Sequence, residues 1–399
     1  MILKTSKFTN IQPELMFARF YYFAYMGGMG FILPFTNLFY TSLGLNGKQI
    51  GTIAATSAVI GLVAAPVLVT EIRKHPLARS YLQLILILGA VGYFMIGQQT
   101  AFLPILAVIV LQALAVSSVP PISDSMAVSV SKSMRIGFGS VRVWGSLGWI
   151  LIVPTSGWLI EHLGFKAGFT GVSIAWICAA GLVFFISSNH FSSHADPLAI
   201  SPGLPSTIRK LIKNRTLRGF AIAIIAIGFL NNGVLQFENV FLSDLGASKQ
   251  LISFAGILGA LVELPFMLIS DKILRRISAH RMMMIAVLLT LAQRTTVLIF
   301  PSILTIMIVR FIGGMAFSFY TISYIGLISS HTEAHETGTV LALFTITLAG
   351  SVNIVASPIS GAIYDLIGAR WLYAFAAAGY AIAATSLWIT RSKSIYKIN

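Results

Sequence analysis

Hydrophobic residues in this chain come in twelve long runs separated by short polar or basic breaks. The runs cover residues 14–42, 47–70, 80–98, 102–130, 139–161, 168–188, 217–243, 248–270, 281–300, 303–329, 338–363 and 369–390. About 20 predominantly apolar residues in a helix span the hydrocarbon core of a bilayer. Each run therefore predicts a membrane-crossing helix, and twelve of them use nearly the whole chain. The first run is long, carries no small-residue cleavage pattern and is expected to remain as a span.

Composition agrees with this pattern. Hydrophobic residues make up 56% of the chain and charged residues 10%, and the mean hydropathy is +0.86. The net charge of +15 suggests nucleic acid until its distribution is considered. Nineteen lysines and arginines fall on alternate breaks: near 4–7, 73–79, 132–135, 209–218, 272–281 and 391–397. The intervening breaks hold only Lys48, Lys166, Lys249 and Arg370. Cytoplasmic loops are the ones enriched in lysine and arginine. Both termini and the central loop are expected in the cytoplasm, with the basic excess facing anionic lipid rather than nucleic acid. The single cysteine, Cys178, rules out an internal disulfide and any cysteine-based metal cluster.

The chain repeats itself. LGLNGKQI at 43–50 matches LGASKQL at 245–251, and PTSGWLIEHLGFK at 154–166 matches PISGAIYDLIGAR at 358–370. The second pair shares Pro-x-Ser-Gly, then an acid, a glycine and a base in the same register. Related elements at the ends of spans five and eleven imply two six-helix units in parallel orientation, a plan that puts substrate sites near mid-membrane where the repeats meet. The Ser-, Pro- and base-rich stretch after span six reads as a linker. The expected organisation is a six-helix bundle at 1–190, a cytoplasmic linker at 191–216 and a second bundle at 217–399 with a short tail. The fold class is thus an all-α integral membrane protein.

Charged residues inside the spans are few. The carboxylates are Asp124, Glu238 and Glu263, the bases Arg19, Arg142, Arg294 and Arg310, and no histidine lies within a span. Asp124 and Arg142 flank the turn near Ser133 at equal offsets of nine residues. In a helical hairpin, at about 1.5 Å per residue, both lie roughly 10–14 Å in from the turn. They form either a static pair joining spans four and five or part of a substrate site. Trp149 is seven residues beyond Arg142 on the same helical face. It can stack on a sugar or an aromatic ring, or pack against helices or lipid. Tyr22, in the Gly-rich first span, is pore-lining or a packing residue. Asn232, Gln236 and Asn239 share a face and can bind a polar substrate or tie helices together. With no buried histidine, a buried proton carrier must be a carboxylate. Glu263, mid-span beside Pro265, is the expected proton-binding acid, with Arg294 or Arg310 as its partner. The alternative for it is a permanent ion pair. Glu238 is a gate, a second coupling acid or an interfacial residue.

The twelve spans, the repeat and the basic central loop resemble the major facilitator superfamily over residues 14–390. FGSVRVWGSLGW at 138–149 resembles the lactose permease segment that carries a substrate-binding arginine and tryptophan, and Asp124 falls where that family pairs an acid with the arginine. YYFAYMGGMGFILPF and LVELPF at 261–266 are similar to the phenylpropionate permease and nucleoside symporter branch. The resemblance implies two pseudo-symmetric six-helix bundles and alternating access. The family's Gly-x-x-x-Asp gating motif is altered between spans two and three, where Val69 and Arg73 stand near the expected Gly and Asp. The matching C-terminal segment keeps Asp271 and Lys272, expected to gate. RFIGGMAF in span ten lacks the acid and histidine of lactose permease.

No Ser/His/Asp arrangement, HExxH or phosphate-binding GxxxxGK[ST] is present, so neither an enzyme nor a cofactor is expected. The expected activity is secondary transport of a small polar or aromatic solute (a sugar, nucleoside or aromatic acid) by proton symport, in a bacterial inner membrane, as a monomer. An efflux antiporter and a non-transporting sensor or scaffold are the alternatives.

Overall fold

The computed structural model describes residues 13–191, 213–274, 276–332 and 334–391. All regular structure among them is helical. Helices α1 (Pro13–Tyr22), α2 (Thr36–Ser42), α3 (Gly47–Lys74), α4 (Ala78–Gln98), α5 (Phe102–Val116), α6 (Val119–Ser133), α7 (Gly139–Leu163) and α8 (Phe165–Val183) precede the linker. After it come α9 (Arg215–Leu230), α10 (Asn232–Asp244), α11 (Lys249–Leu274), α12 (Ala279–Ile299), α13 (Ile303–Ser329), α14 (Ala334–Ala342), α15 (Ala349–Ile367) and α16 (Ala369–Thr390). Several predicted spans are two of these helices in tandem, such as Phe102–Ser133 and Arg215–Asp244.

Eleven described segments are long and apolar enough to cross a membrane. The first predicted span is the exception, because it is not one helix. Between α1 and α2 the chain makes a π turn at Phe23–Gly27 and 3-10 turns at Met29–Phe31 and Leu33–Phe35. Its local sequence accounts for the break. Pro34 has no N–H to give the carbonyl of Gly30, four residues back. The Ser156 hydroxyl of α7 donates to that carbonyl instead, at 3.1 Å. Such substitution is what allows irregular backbone at membrane depth. Packing fixes the same segment: a Cβ on Gly27 would meet the Gly148 backbone at 2.6 Å, and one on Gly28 the Ala175 side chain at 2.6 Å.

Contacts divide the chain into two compact units. One draws on Met1–Leu33, Val63–Gln99 and Ala107–Ala195, the other on Pro34–Leu62, Thr100–Leu106 and Asp196–Asn399. The second unit thus holds the end of the first span and the start of α3. There Asp365, in the last turn of α15, accepts from the Gly47 and Lys48 backbone N–H groups at 2.5 and 2.9 Å, capping α3.

The sequence repeat is also a backbone repeat. Among the described residues, the glycines with positive φ are Gly44 and Gly246 (79° and 90°) and Gly164 and Gly368 (79° and 82°). Each pair occupies one matched position of the two repeated segments. Gly164 and Gly368 share ψ as well, at 174° and 169°, a conformation essentially reserved for glycine.

Candidate functional site

In the first unit the charged residues are arranged around a tyrosine. Tyr22, the last residue of α1, donates its hydroxyl to Asp124 Oδ1 on α6 at 2.7 Å. The Arg142 guanidinium, from α7, lies over the Tyr22 ring at 5.9 Å from its centroid. Asp124 and Arg142 make no direct ion pair among the described residues. Of the two alternatives for this pair, the static bridge is not formed; acid, phenol and guanidinium stand in series instead. Asp124 is exposed and Arg142 half-buried, so both keep capacity for a further partner. Behind them Tyr21 meets Ser123 Oγ at 2.5 Å, and Ser123 donates on to Val119 O at 2.6 Å, which makes Tyr21 the donor of the first bond. Tyr21 also stacks on Tyr25 at 5.6 Å, and Tyr25 packs edge-on to Trp176 at 5.6 Å. This wall fixes Tyr22. Trp149 is half-buried on α7.

The second unit holds its acid differently. Glu238 on α10 takes Arg310 of α13 on Oε2, through Nε at 2.8 Å and Nη2 at 2.7 Å. On Oε1 it takes the Tyr373 hydroxyl of α16 at 2.8 Å and Arg294 Nη1 of α12 at 3.4 Å. The side chains of Glu238, Arg294 and Arg310 are 16%, 13% and 16% exposed. Here the sequence expectation is corrected: both arginines belong to Glu238, not to Glu263. The Glu263 helix is nearer to both arginines in sequence, but helix packing and rotation bring them to Glu238 instead. Asn239 uses both ends of its amide, accepting from Arg310 Nη2 at 2.6 Å and donating to Pro34 O at 2.7 Å. Gln236 donates to Asn232 Oδ1, and Asn232 donates to Asn353 Oδ1 of α15 at 3.1 Å. The shared face therefore forms a polar chain.

Glu263 stands apart. It is half-buried in the middle of α11, and its carboxylate makes no hydrogen bond or ion pair among the described residues. Its backbone is tightly held. Ser318 of α13 donates to Glu263 O at 2.9 Å, and a Cβ on Gly314 would meet Glu263 N at 2.8 Å. A free carboxylate on a fixed backbone can gain and lose a proton without breaking a structural bond. Asp271 and Lys272 are helical, near the end of α11 rather than in a loop, and their side chains lie outside the described residues.

Sequence reasoning missed Tyr373, Ser123 and Asn353. Tyr373 sits in WLYAFAAAGY, which reads as an interfacial aromatic at a helix start. Ser123 adjoins Asp124, and that adjacency was the available signal.

A chain with eleven described helices able to cross a membrane and a repeated backbone turn is a multi-pass membrane protein. The MFS_1 like family profile matches residues 15–375, and the chain belongs to that family, within the major facilitator superfamily. It is 26% identical over 280 residues to the maltose permease of Geobacillus stearothermophilus, covering 68% of each chain. It is 23% identical over 269 residues to the probable 3-phenylpropionic acid transporter of Escherichia coli (strain K12), covering 66% of this chain and 69% of that one. Among solved structures, the nucleoside transporter NupG superposes with a TM-score of 0.76 at 17% identity, covering 95% of this chain and 99% of that one. These relatives are transporters and not enzymes.

Proposed function

We propose that this protein is a proton-coupled symporter that imports a small polar or aromatic organic solute, with Glu263 as the proton carrier. The observation that carries the reading is the contrast between two intramembrane acids. Glu238 is held by two arginines and a tyrosine, whereas Glu263 has no partner among the described residues. A coupling group must change charge during the cycle, and an acid held by two guanidinium groups and a phenol must give up several contacts to do so. Glu238 and Arg310 then act as the fixed charged frame, with Arg294 beside them. Asp124, Tyr22, Arg142 and Trp149 are the candidate substrate contacts of the first unit. Asn232 and Gln236 are hydrogen-bonding candidates of the second, and Asn239 orients Arg310. The relatives, a maltose permease and a probable 3-phenylpropionic acid transporter, support an organic solute.

In this reading residues 1–190 and 217–399 are the two moving bundles and 191–216 the linker. Asp271 and Lys272 gate the second bundle. The protein works as a monomer in a bacterial inner membrane, its termini and linker in the cytoplasm and its basic loops against anionic lipid. Proteoliposomes with an imposed pH gradient test it. Glu263→Gln abolishes accumulation of solute while counterflow exchange, which needs no net proton movement, persists. A variant that still concentrates solute removes Glu263 from the role.

A further inference from the structure

We infer that the transported solute carries an anionic group, a carboxylate in the simplest case, and that Arg294 is its docking point. This rests on the transporter reading and narrows it. The argument is charge balance within the second unit. Two arginines, Arg294 and Arg310, share the single carboxylate of Glu238, and they share it unequally. Arg310 makes two contacts of 2.7–2.8 Å to Oε2 and a third to Asn239, so its Nε and Nη2 are engaged. Arg294 reaches Oε1 only at 3.4 Å, and that oxygen already accepts from Tyr373 at 2.8 Å. Its remaining neighbours are neutral: the Tyr373 ring at 5.9 Å and the Tyr380 hydroxyl. The Arg294 Nε is buried and has no hydrogen-bond partner.

One negative charge thus serves two positive ones, and the unmatched charge rests on Arg294. No second carboxylate lies within ion-pair distance of it among the described residues. Asp365 is engaged at the start of α3, and Glu263 makes no ion pair. If Glu263 carries a proton in the loaded state, the imbalance persists throughout binding. An unmatched guanidinium at membrane depth is expensive, and its planar donor fork fits a carboxylate better than any neutral group. A solute carboxylate completes the set. A neutral sugar or nucleoside leaves it open.

The test uses the full-length protein in detergent and a panel of matched probes: 3-phenylpropionate against its amide, gluconate against glucose, with maltose and uridine as neutral solutes. Apparent thermal stability reads binding, since a ligand that binds only the folded state raises it. At least one carboxylate raises the melting temperature at millimolar concentration, and its neutral analogue binds roughly tenfold or more weakly. Arg294→Gln removes the shift and Arg294→Lys restores part of it. Folding of both variants is checked by size exclusion, and Arg310 remains to hold Glu238. The inference is overturned if no carboxylate shifts the wild type, or if the best binder is neutral and keeps its affinity in Arg294→Gln. A neutral solute that accumulates under a pH gradient leaves the symport reading intact and sinks only this inference. Absence of gradient-driven uptake alongside an Arg294-dependent carboxylate shift does the reverse.

Discussion

Each unit of the molecule carries an acid at membrane depth, and the two acids are held by opposite means. Asp124 is exposed and bound through a neutral phenol, with its arginine stacked on the far side of that phenol. Glu238 is half-buried, and two guanidinium groups and a second phenol grip both its oxygens. The first arrangement leaves hydrogen-bonding capacity on acid and base alike, so a ligand can enter without displacing an ion pair. The second has little to give on the acid and spare charge on one base. In the proposed reading the first arrangement meets solute through acid and base alike, while the second keeps its acid fixed and leaves Arg294 with donors to spare.

The sharpest way to break this comparison is to neutralise each acid. Glu238→Gln leaves two largely water-shielded arginines, 13% and 16% exposed, without a counter-charge. Removing one partner of a buried pair costs about 3–5 kcal/mol, so the variant should unfold at much lower temperature or fail to accumulate in the membrane. Asp124→Asn removes an exposed charge that makes no direct ion pair. Its stability should change by less than about 1 kcal/mol, while solute binding falls. Thermal unfolding of the two purified variants decides the matter. Equal losses would mean that both acids are structural.

Much of this was legible beforehand. The spans follow from run length, and the repeat from two short segments whose matched glycines adopt matched backbone angles. The glycines and Pro34 of the first span carry its interruption, but hydropathy averages over such breaks and so predicts one continuous helix there. The charged residues were identifiable as membrane-embedded, but their partners were not. A helix that is apolar nearly all round gives little periodic signal of its rotation. Rotation and the choice of neighbouring helix together decide whether Arg294 and Arg310 meet Glu238 or Glu263. Tyr373, which completes the Glu238 site, lies 135 residues from it in the chain, beyond the reach of any local pattern.

A second comparison is between the repeated turns. Gly164 and Gly368 hold the same glycine-only conformation, and a Cβ at either would meet nothing within 4 Å. Alanine there pays only backbone strain, about 1–3 kcal/mol. Gly164→Ala and Gly368→Ala should therefore lower thermal stability by similar amounts. A loss confined to one of them would show that the two halves tolerate that turn differently and that the repeat is weaker than its backbone suggests.

The smallest expected effect separates the two phenols. Tyr373→Phe deletes one of several bonds to Glu238. The arginines remain, so the loss should be near the ordinary net value of a hydrogen bond, about 1 kcal/mol. Tyr22→Phe deletes the only side-chain bond to Asp124 among the described residues, but Asp124 is exposed and water can replace it. Its stability should fall by less than that. Binding should behave in the opposite order, because without the hydroxyl Asp124 is free to rotate and the site loses its shape. Tyr22→Leu separates the two functions of the ring. The Phe variant keeps the aromatic face under Arg142, whereas the Leu variant removes both the face and the hydroxyl. If Arg142 is positioned by the ring, binding declines stepwise from wild type to Phe to Leu. If Phe and Leu bind equally well, the hydroxyl is the sole contribution of Tyr22, and the stacked arginine is not held by it.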